Sequence, residues 1–234
     1  MTVWAIIVAG GEGTRFGGAG GKQLAEVAGR PVLAQTVEAV FSCPDLEGLV
    51  VVCHPDRVEE YAESAGVVGH RLVAVAGGDT RQESVAAGLA CLPRDCEMVV
   101  VHDGARPLVT PEVVSAVIAE LAGHPEAAGV VVGHPSSDTV KVVDESGVVI
   151  ETPDRSTLWA VQTPQAFRTR ALADAHARAE REGIAGTDDA SLVESAGGVV
   201  RVVLGPRLNV KVTTREDAAY VEACLADRTE RTRR

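Results

Sequence analysis

Lysine is almost missing from this sequence. Of 22 basic residues, 19 are Arg and only three are Lys, at Lys22, Lys141 and Lys211. A chain that places Lys so rarely draws attention to those three positions. Basic blocks are missing as well. The formal net charge is −11, and a chain that cannot neutralise a run of phosphates is a poor nucleic-acid binder. Aromatic residues make up 3%, too few for a base-stacking platform. No apolar run exceeds residues 3–9, far short of the ~20 residues that span a bilayer, so no membrane partner is expected. No basic segment precedes that run, as a secretory signal would require. Cysteines number five, Cys43, Cys53, Cys91, Cys96 and Cys224, with no C-x-x-C pair. That count and spacing argue against a disulfide framework or a zinc site and imply reduced thiols in a cytoplasmic protein.

What is present is globular. Hydrophobic residues make up 46% and charged residues 24% of the 234, enough for one domain with a sizeable core. Residues 3–9 form a continuous β-branched stretch, the mark of a strand buried on both faces. A Gly-rich loop follows, and Pro31 then starts a helix where a missing N–H costs nothing. Strand-like runs at 49–53, 71–76, 98–102 and 128–133 alternate with helix-like runs at 56–64, 81–91 and 111–121. This alternation predicts a Rossmann-like α/β fold: a mostly parallel twisted sheet with helices on both faces. Residues 1–234 read as a single domain, since no repeat, low-complexity tract or linker divides them.

The pattern breaks after Gly133. Two short β-like runs, 139–143 and 148–152, flank Asp144-Glu145-Ser146-Gly147. That is a hairpin with a four-residue turn, and residues 136–157 are expected to form an arm that meets a second subunit. Helices resume at 169–181 and 188–196, followed by a strand at 199–204 and a helix at 215–226. The charged tail 227–234 is expected to fray.

The loop after the first strand holds seven glycines in the twelve residues before Lys22. Ligands of open α/β sheets bind at the carboxyl ends of strands, and glycines there let backbone N–H groups approach phosphate oxygens. Gly10, Gly11 and Gly13 are the candidates for that approach. Arg15 and Lys22 add two cations. A P-loop is excluded because Gln23 follows Lys22, and a dinucleotide fingerprint because Phe16 stands at its third glycine. What remains is a strand, then Gly10-Gly11-Glu12-Gly13-Thr14-Arg15, then Lys22 seven residues beyond the Arg. This resembles the nucleoside-triphosphate loop of nucleotidyltransferases.

Further motifs follow in order. They are Gly77-Gly78-Asp79-Thr80-Arg81-Gln82-Glu83-Ser84, His102-Asp103-Gly104-Ala105-Arg106-Pro107 and Thr152-Pro153-Asp154-Arg155. Gln162-Thr163-Pro164-Gln165, Thr187-Asp188-Asp189 and Asn209-Val210-Lys211 complete the series. Together they resemble the 2-C-methyl-D-erythritol 4-phosphate cytidylyltransferase family of the non-mevalonate isoprenoid pathway, from Val3 to about Leu225.

The reaction this implies joins a phosphate oxygen of one substrate to the α-phosphorus of CTP and releases pyrophosphate. It has no difficult proton transfer, so it calls for positioned cations and a metal ion rather than a nucleophile triad. The resemblance implies that Arg15 and Lys22 contact the triphosphate and the pentacoordinate phosphorus, with Lys211 as a third cation. It implies that Gly78, Asp79 and Ser84 read cytosine and ribose, with help from Ala9, Gly10 and Gly104. Asp79 is equally placed to cap the helix near Arg81. Asp103, at a strand end, can bind Mg²⁺ or another divalent cation through oxygen. Arg106 is expected to bind the phosphate of the second substrate, and Thr187 belongs to the same site. Thr139 and Arg155 are expected to reach it from the partner in a homodimer. His102 reads as a packed strand histidine, and Lys141 as structural.

Three residues depart from the family pattern. Gly21 stands where relatives often have Pro, Leu208 where several carry Asp, and Val8 where some have Pro. Three rival readings remain. The nearest is a ribitol 5-phosphate cytidylyltransferase; the others are a sugar-1-phosphate nucleotidyltransferase and a non-catalytic nucleotide-binding regulator.

Overall fold

A computed structural model of the chain describes residues 1–11, 16, 22–66 and 71–232, the last four as backbone. Strand β1 (Val3–Val8) is followed by a small hairpin, β2 (Glu26–Val27) and β3 (Arg30–Pro31), and then by α1 (Val32–Phe41). Next come β4 (Gly48–Cys53), α2 (Val58–Ser64), β5 (Leu72–Ala76), α3 (Arg81–Ala90), β6 (Met98–Asp103), α4 (Pro111–Gly123) and β7 (Ala127–Pro135). The arm contributes β8 (Val142–Val143) and β9 (Val149–Glu151). The chain then forms β10 (Trp159–Arg168), α5 (Thr169–Glu182), α6 (Asp189–Ser195), β11 (Val199–Leu204) and α7 (Arg215–Thr232).

Seven strands make one sheet in the order β11-β7-β10-β6-β1-β4-β5. Every neighbouring pair is parallel except those of β10, which runs antiparallel to both β6 and β7. All residues of β4 and β6 are buried, which is why β4 and the first four residues of β6 read as unbroken apolar runs. In β1 the side chains alternate between two cores. Ala5 and Ile7 face α1 and α4 through Leu33, Val37 and Val114, whereas Ile6 faces α3 and α5 through Val85 and Leu172. Each such fully buried Ile or Leu contributes roughly 1.5–3 kcal/mol.

The Rossmann-like expectation therefore holds, with four local corrections. The strand β10 was not anticipated, because its middle reads Gln162-Thr163-Pro164-Gln165 and a proline argues against a central strand. Its register shifts between Gln162 and Gln165, so Pro164 sits at the irregularity and interrupts no regular ladder. Pro31 is the residue before α1, not its first turn; it ends β3 and precedes Val32. Residues 55–57 form a 3₁₀ turn ahead of α2, so the helix expected from 56 starts at Val58. The last helix continues past 226 to Thr232, where fraying was expected.

The topology also says where to look for a site. From β1 the chain moves outward to β4 and β5, then returns to lay β6 on the other side of β1. The sheet order thus reverses between β1 and β6, and the crevice outside their carboxyl ends is the usual ligand position in open α/β sheets.

Candidate active site

That crevice holds a pocket. Gly10 and Gly11 line it after β1, Asp103 and Ala105 at the end of β6, and Lys22, Gln23 and Lys211 on further loops. The segment between β5 and α3 closes it with Gly78, Asp79 and Thr80, and the first turn of α3 adds Arg81 and Ser84. Eight residues expected from the sequence are thus brought together: Gly10, Gly11, Lys22, Gly78, Asp79, Ser84, Asp103 and Lys211.

Its charges centre on Asp103, whose residue is only 6% exposed. The Oδ2 atom lies 3.0 Å from Lys211 Nζ and 3.2 Å from Arg106 Nε. The Oδ1 atom faces Arg81 Nε at 3.7 Å. Burial alone would raise the carboxyl pKa, but Lys211, Arg106 and Arg81 outweigh it and hold the group well below the usual carboxylate range. Arg106 is fixed further by donating from Nη1 to the Asn209 carbonyl at 2.8 Å. The Asn209 side chain donates to the Thr163 carbonyl at 2.7 Å and to Gln162 Oε1 at 3.2 Å. The Asn209-Val210-Lys211 motif thereby becomes intelligible: a buried Asn locks the loop on β10, and the loop presents Lys211 to Asp103.

His102, next to Asp103 on β6, is wholly buried. Asp103 N–H donates to Thr163 Oγ1 at 3.0 Å, and that hydroxyl lies 3.1 Å from His102 Nδ1. With the Thr163 oxygen accepting from the backbone, its hydrogen goes to Nδ1, which leaves Nε2–H for the Arg106 carbonyl at 3.3 Å. Burial pushes the imidazole down to about 4, so it is neutral at pH 7 and packs as the sequence anticipates.

On the opposite wall, α3 begins with a capping box. Thr80 Oγ1 accepts from Glu83 N–H, and the Glu83 carboxylate accepts from Thr80 N–H. The cap is therefore Thr80 and not Asp79, which lies exposed on the pocket rim. A Cβ at Gly78 would run into the Glu83 side chain that this box holds, so only glycine fits there. Ser84 is buried, with its hydroxyl 3.4 Å from the Gly78 carbonyl.

Other expected residues stand apart from the pocket. Ala9 and Gly104 do not line it, and their N–H groups are taken. Ala9 N–H donates to the Val52 carbonyl at 2.7 Å and Gly104 N–H to the Val8 carbonyl at 2.9 Å. The Gly104 carbonyl accepts from Thr36 Oγ1 at 3.1 Å. Thr187 is exposed just before α6. Thr139 and Arg155 are exposed at the base of the arm, where Arg155 donates to the Ser137 carbonyl at 3.1 Å. Gly13 and Arg15 lie outside the described residues.

Of the pocket residues not assigned to the site from the sequence, one is charged. Arg81 is the first residue of α3, where the helix dipole opposes a cation. That misfit was the available signal, because an Arg there needs a carboxylate partner. It has one in Asp189, whose Oδ2 accepts from Nη1 at 2.7 Å.

Among the described residues no three His, Cys, Asp or Glu side chains form a metal cage. A nucleotide-borne Mg²⁺ does not need one, since it is commonly held by one or two carboxylates with phosphates and water. Asp103 suits that role through Oδ1, the oxygen that Lys211 and Arg106 leave uncovered.

Residues 3–227 match the family described as "IspD: 2-C-methyl-D-erythritol 4-phosphate cytidylyltransferase". The chain is 43% identical to the 2-C-methyl-D-erythritol 4-phosphate cytidylyltransferase of Desulforamulus reducens, covering 96% of each. It is 44% identical to the bifunctional enzyme IspD/IspF of Nitratidesulfovibrio vulgaris over 95% of this chain, and spans 58% of that protein's length. Among solved structures it resembles 4-diphosphocytidyl-2C-methyl-D-erythritol synthase of Anaerococcus prevotii, with a TM-score of 0.85, 30% identity and 96% of each chain covered.

Proposed function

The chain belongs to the 2-C-methyl-D-erythritol 4-phosphate cytidylyltransferase family, and on that premise we propose that it transfers CMP from CTP to 2-C-methyl-D-erythritol 4-phosphate. The products are 4-diphosphocytidyl-2-C-methyl-D-erythritol and pyrophosphate. The observation that carries this reading is the pocket's charge: Lys22 and Lys211 line it beside one buried carboxylate, with Arg106 bonded to that carboxylate from beside the pocket. Such a cleft suits a polyanion.

A phosphate oxygen of methylerythritol phosphate forms a bond to the α-phosphorus of CTP. The bond from that phosphorus to the bridging oxygen breaks, and pyrophosphate leaves with the electron pair. Lys22, together with Arg15, steadies the charge that builds on the non-bridging oxygens. Lys211 turns from Asp103 toward phosphate as the anion enters. Gly10 and Gly11 offer backbone N–H groups, while Gly78, Asp79 and Ser84 contact base and ribose. Asp79 suits the cytosine amino group, a donor that uracil lacks. Asp103 would hold Mg²⁺, which neutralises triphosphate charge when bound.

The arm supports a homodimer. Val140, Val142, Val143, Val148, Val149 and Ile150 are each 41% exposed or more, and a lone two-stranded hairpin is marginal in water. A second arm related by a two-fold axis would cover these residues and bring Arg155 and Thr139 to the neighbouring site. Five free thiols support a cytoplasmic location, and no helix among the described residues is long and apolar enough to cross a membrane. The direct test is pyrophosphate release from CTP with Mg²⁺. Release with methylerythritol phosphate, and little with ribitol 5-phosphate, is expected; the reverse preference would replace the proposed substrate.

A further inference from the structure

The Arg81 guanidinium stands between two carboxylates and bonds only one of them. Its Nη1 donates to Asp189 Oδ2 at 2.7 Å, whereas its Nε remains 3.7 Å from Asp103 Oδ1, beyond hydrogen-bond reach. Asp189 is held on its other side by His176, whose Nε2 lies 3.0 Å from Oδ1. Asp189 and His176 are 1% and 5% exposed. The start of α6 is itself anchored, since the Asp188 side chain accepts from Ser191 N–H at 2.9 Å and from Gln165 Nε2 at 2.7 Å. Asp189 therefore has little room to follow Arg81. Asp103 is used unevenly as a result. Its Oδ2 takes Lys211 and Arg106, and its Oδ1 is left toward the pocket.

We propose that Arg81 is a positioning residue, a cation tethered by Asp189 and His176 so that it does not close over Asp103 Oδ1 and that oxygen stays open to the divalent cation arriving with the nucleotide. An untethered guanidinium beside a buried carboxylate closes to a short charge-assisted bond. Tethered, it still offsets the buried charge while leaving a coordination position. The role given to Asp103 rests on the nucleotidyl transfer proposed above; the tether itself rests on the geometry of Arg81.

Asp189→Asn keeps the shape of the anchor and removes its charge. In the crystal structure of that metal-free variant, Arg81 is expected within about 3 Å of Asp103 Oδ1. Mn²⁺ binding in the presence of CTP, followed by paramagnetic resonance, should weaken about tenfold, the worth of one charge-assisted hydrogen bond. Adding Arg81→Gln to Asp189→Asn should return Mn²⁺ affinity to within about twofold of the unaltered chain, because no cation is left to close. A merely structural role predicts a lower melting temperature for Asp189→Asn with Mn²⁺ affinity unmoved. If Asp189→Asn does not fold, Arg81→Gln alone decides, since it should bind Mn²⁺ at least as tightly as the unaltered chain, and weaker binding overturns the tether. If Asp103→Asn binds Mn²⁺ with CTP as the unaltered chain does, the metal role of Asp103 fails. The structure of Asp189→Asn still judges the tether, and Arg81 left in its original place would overturn it.

Discussion

The pocket and the arm both carry residues expected at one site, yet they are built in opposite ways. In the pocket, charge is buried and held by the chain itself: Asp103 is 6% exposed, with Lys211, Arg106 and Arg81 around it. On the arm, apolar groups are exposed, with Ile150 at 66% and Val148 at 60%, and Arg155 donates to the Ser137 carbonyl, 18 residues back along the same chain. Buried charges without partners are costly, and so are exposed clusters of Val and Ile. The first cost is met within the chain. The second is not met by the described residues, and the difference teaches that the pocket is preorganised within one chain while the apolar face of the arm is left uncovered by it.

The comparison can be broken from either side. Lys22→Ala should produce the largest effect, a loss of roughly 10²–10³ in kcat with a smaller change in CTP affinity, as for a preorganised donor to a charged transition state. Near-normal steady-state kinetics would remove Lys22 from the chemistry. Acid should expose the pocket's dependence on buried groups. The His102 pKa is about 4 in the fold against 6.5 ordinarily, so below pH 6.5 the unfolded chain takes a proton that the folded chain refuses. Stability from this group is thus complete above 6.5 and declines as pH falls toward 4, by roughly 3 kcal/mol at most. Urea titrations at pH 7 and pH 4.5 should show that decline in the unaltered chain and a smaller one in His102→Gln. An equal decline in both would assign it elsewhere. The smallest effect is expected from the arm. Arg155→Ala should raise the KM for methylerythritol phosphate about tenfold, the worth of one charged contact, while CTP binding by calorimetry stays nearly constant. Equal weakening of both ligands would mean that the arm acts on the pocket as a whole.

Much of this division was legible in the residues. The apolar runs of β1, β4 and β6 signalled strands buried on both faces, and the glycines just beyond β1 pointed to the end of the sheet where the pocket lies. The arm stood out because two short runs and an Asp144–Gly147 turn interrupted a regular series. Gly147 has a φ of +85° there, and the Asp144 carboxylate accepts from Ser146 and Val148 N–H, so turn chemistry alone specifies it. The strand β10 was illegible because three of its six buried residues are polar. Gln162, Thr163 and Gln165 face a hydrogen-bonded interior with Asn209, Asp103 and Asp188, and a hydrophobic pattern carries no sign of such partners. Arg81 was overlooked for the same reason, since its partner Asp189 lies 108 residues away. Leu208, one of the three departures noted in the sequence, is 46% exposed and supplies no carboxylate at that position.

The central claim is that the preorganised pocket of one chain is completed by the arm of another. Mixing Lys22→Ala chains with Arg155→Ala chains tests it most directly. Each parent should be weakly active at limiting methylerythritol phosphate. After subunit exchange at equal concentrations, half the dimers are mixed and each has one site with both residues intact, so activity should recover to about a quarter of the unaltered enzyme. Subunit exchange demonstrated by mass-labelled chains, with activity no greater than the average of the two parents, would contradict a shared site.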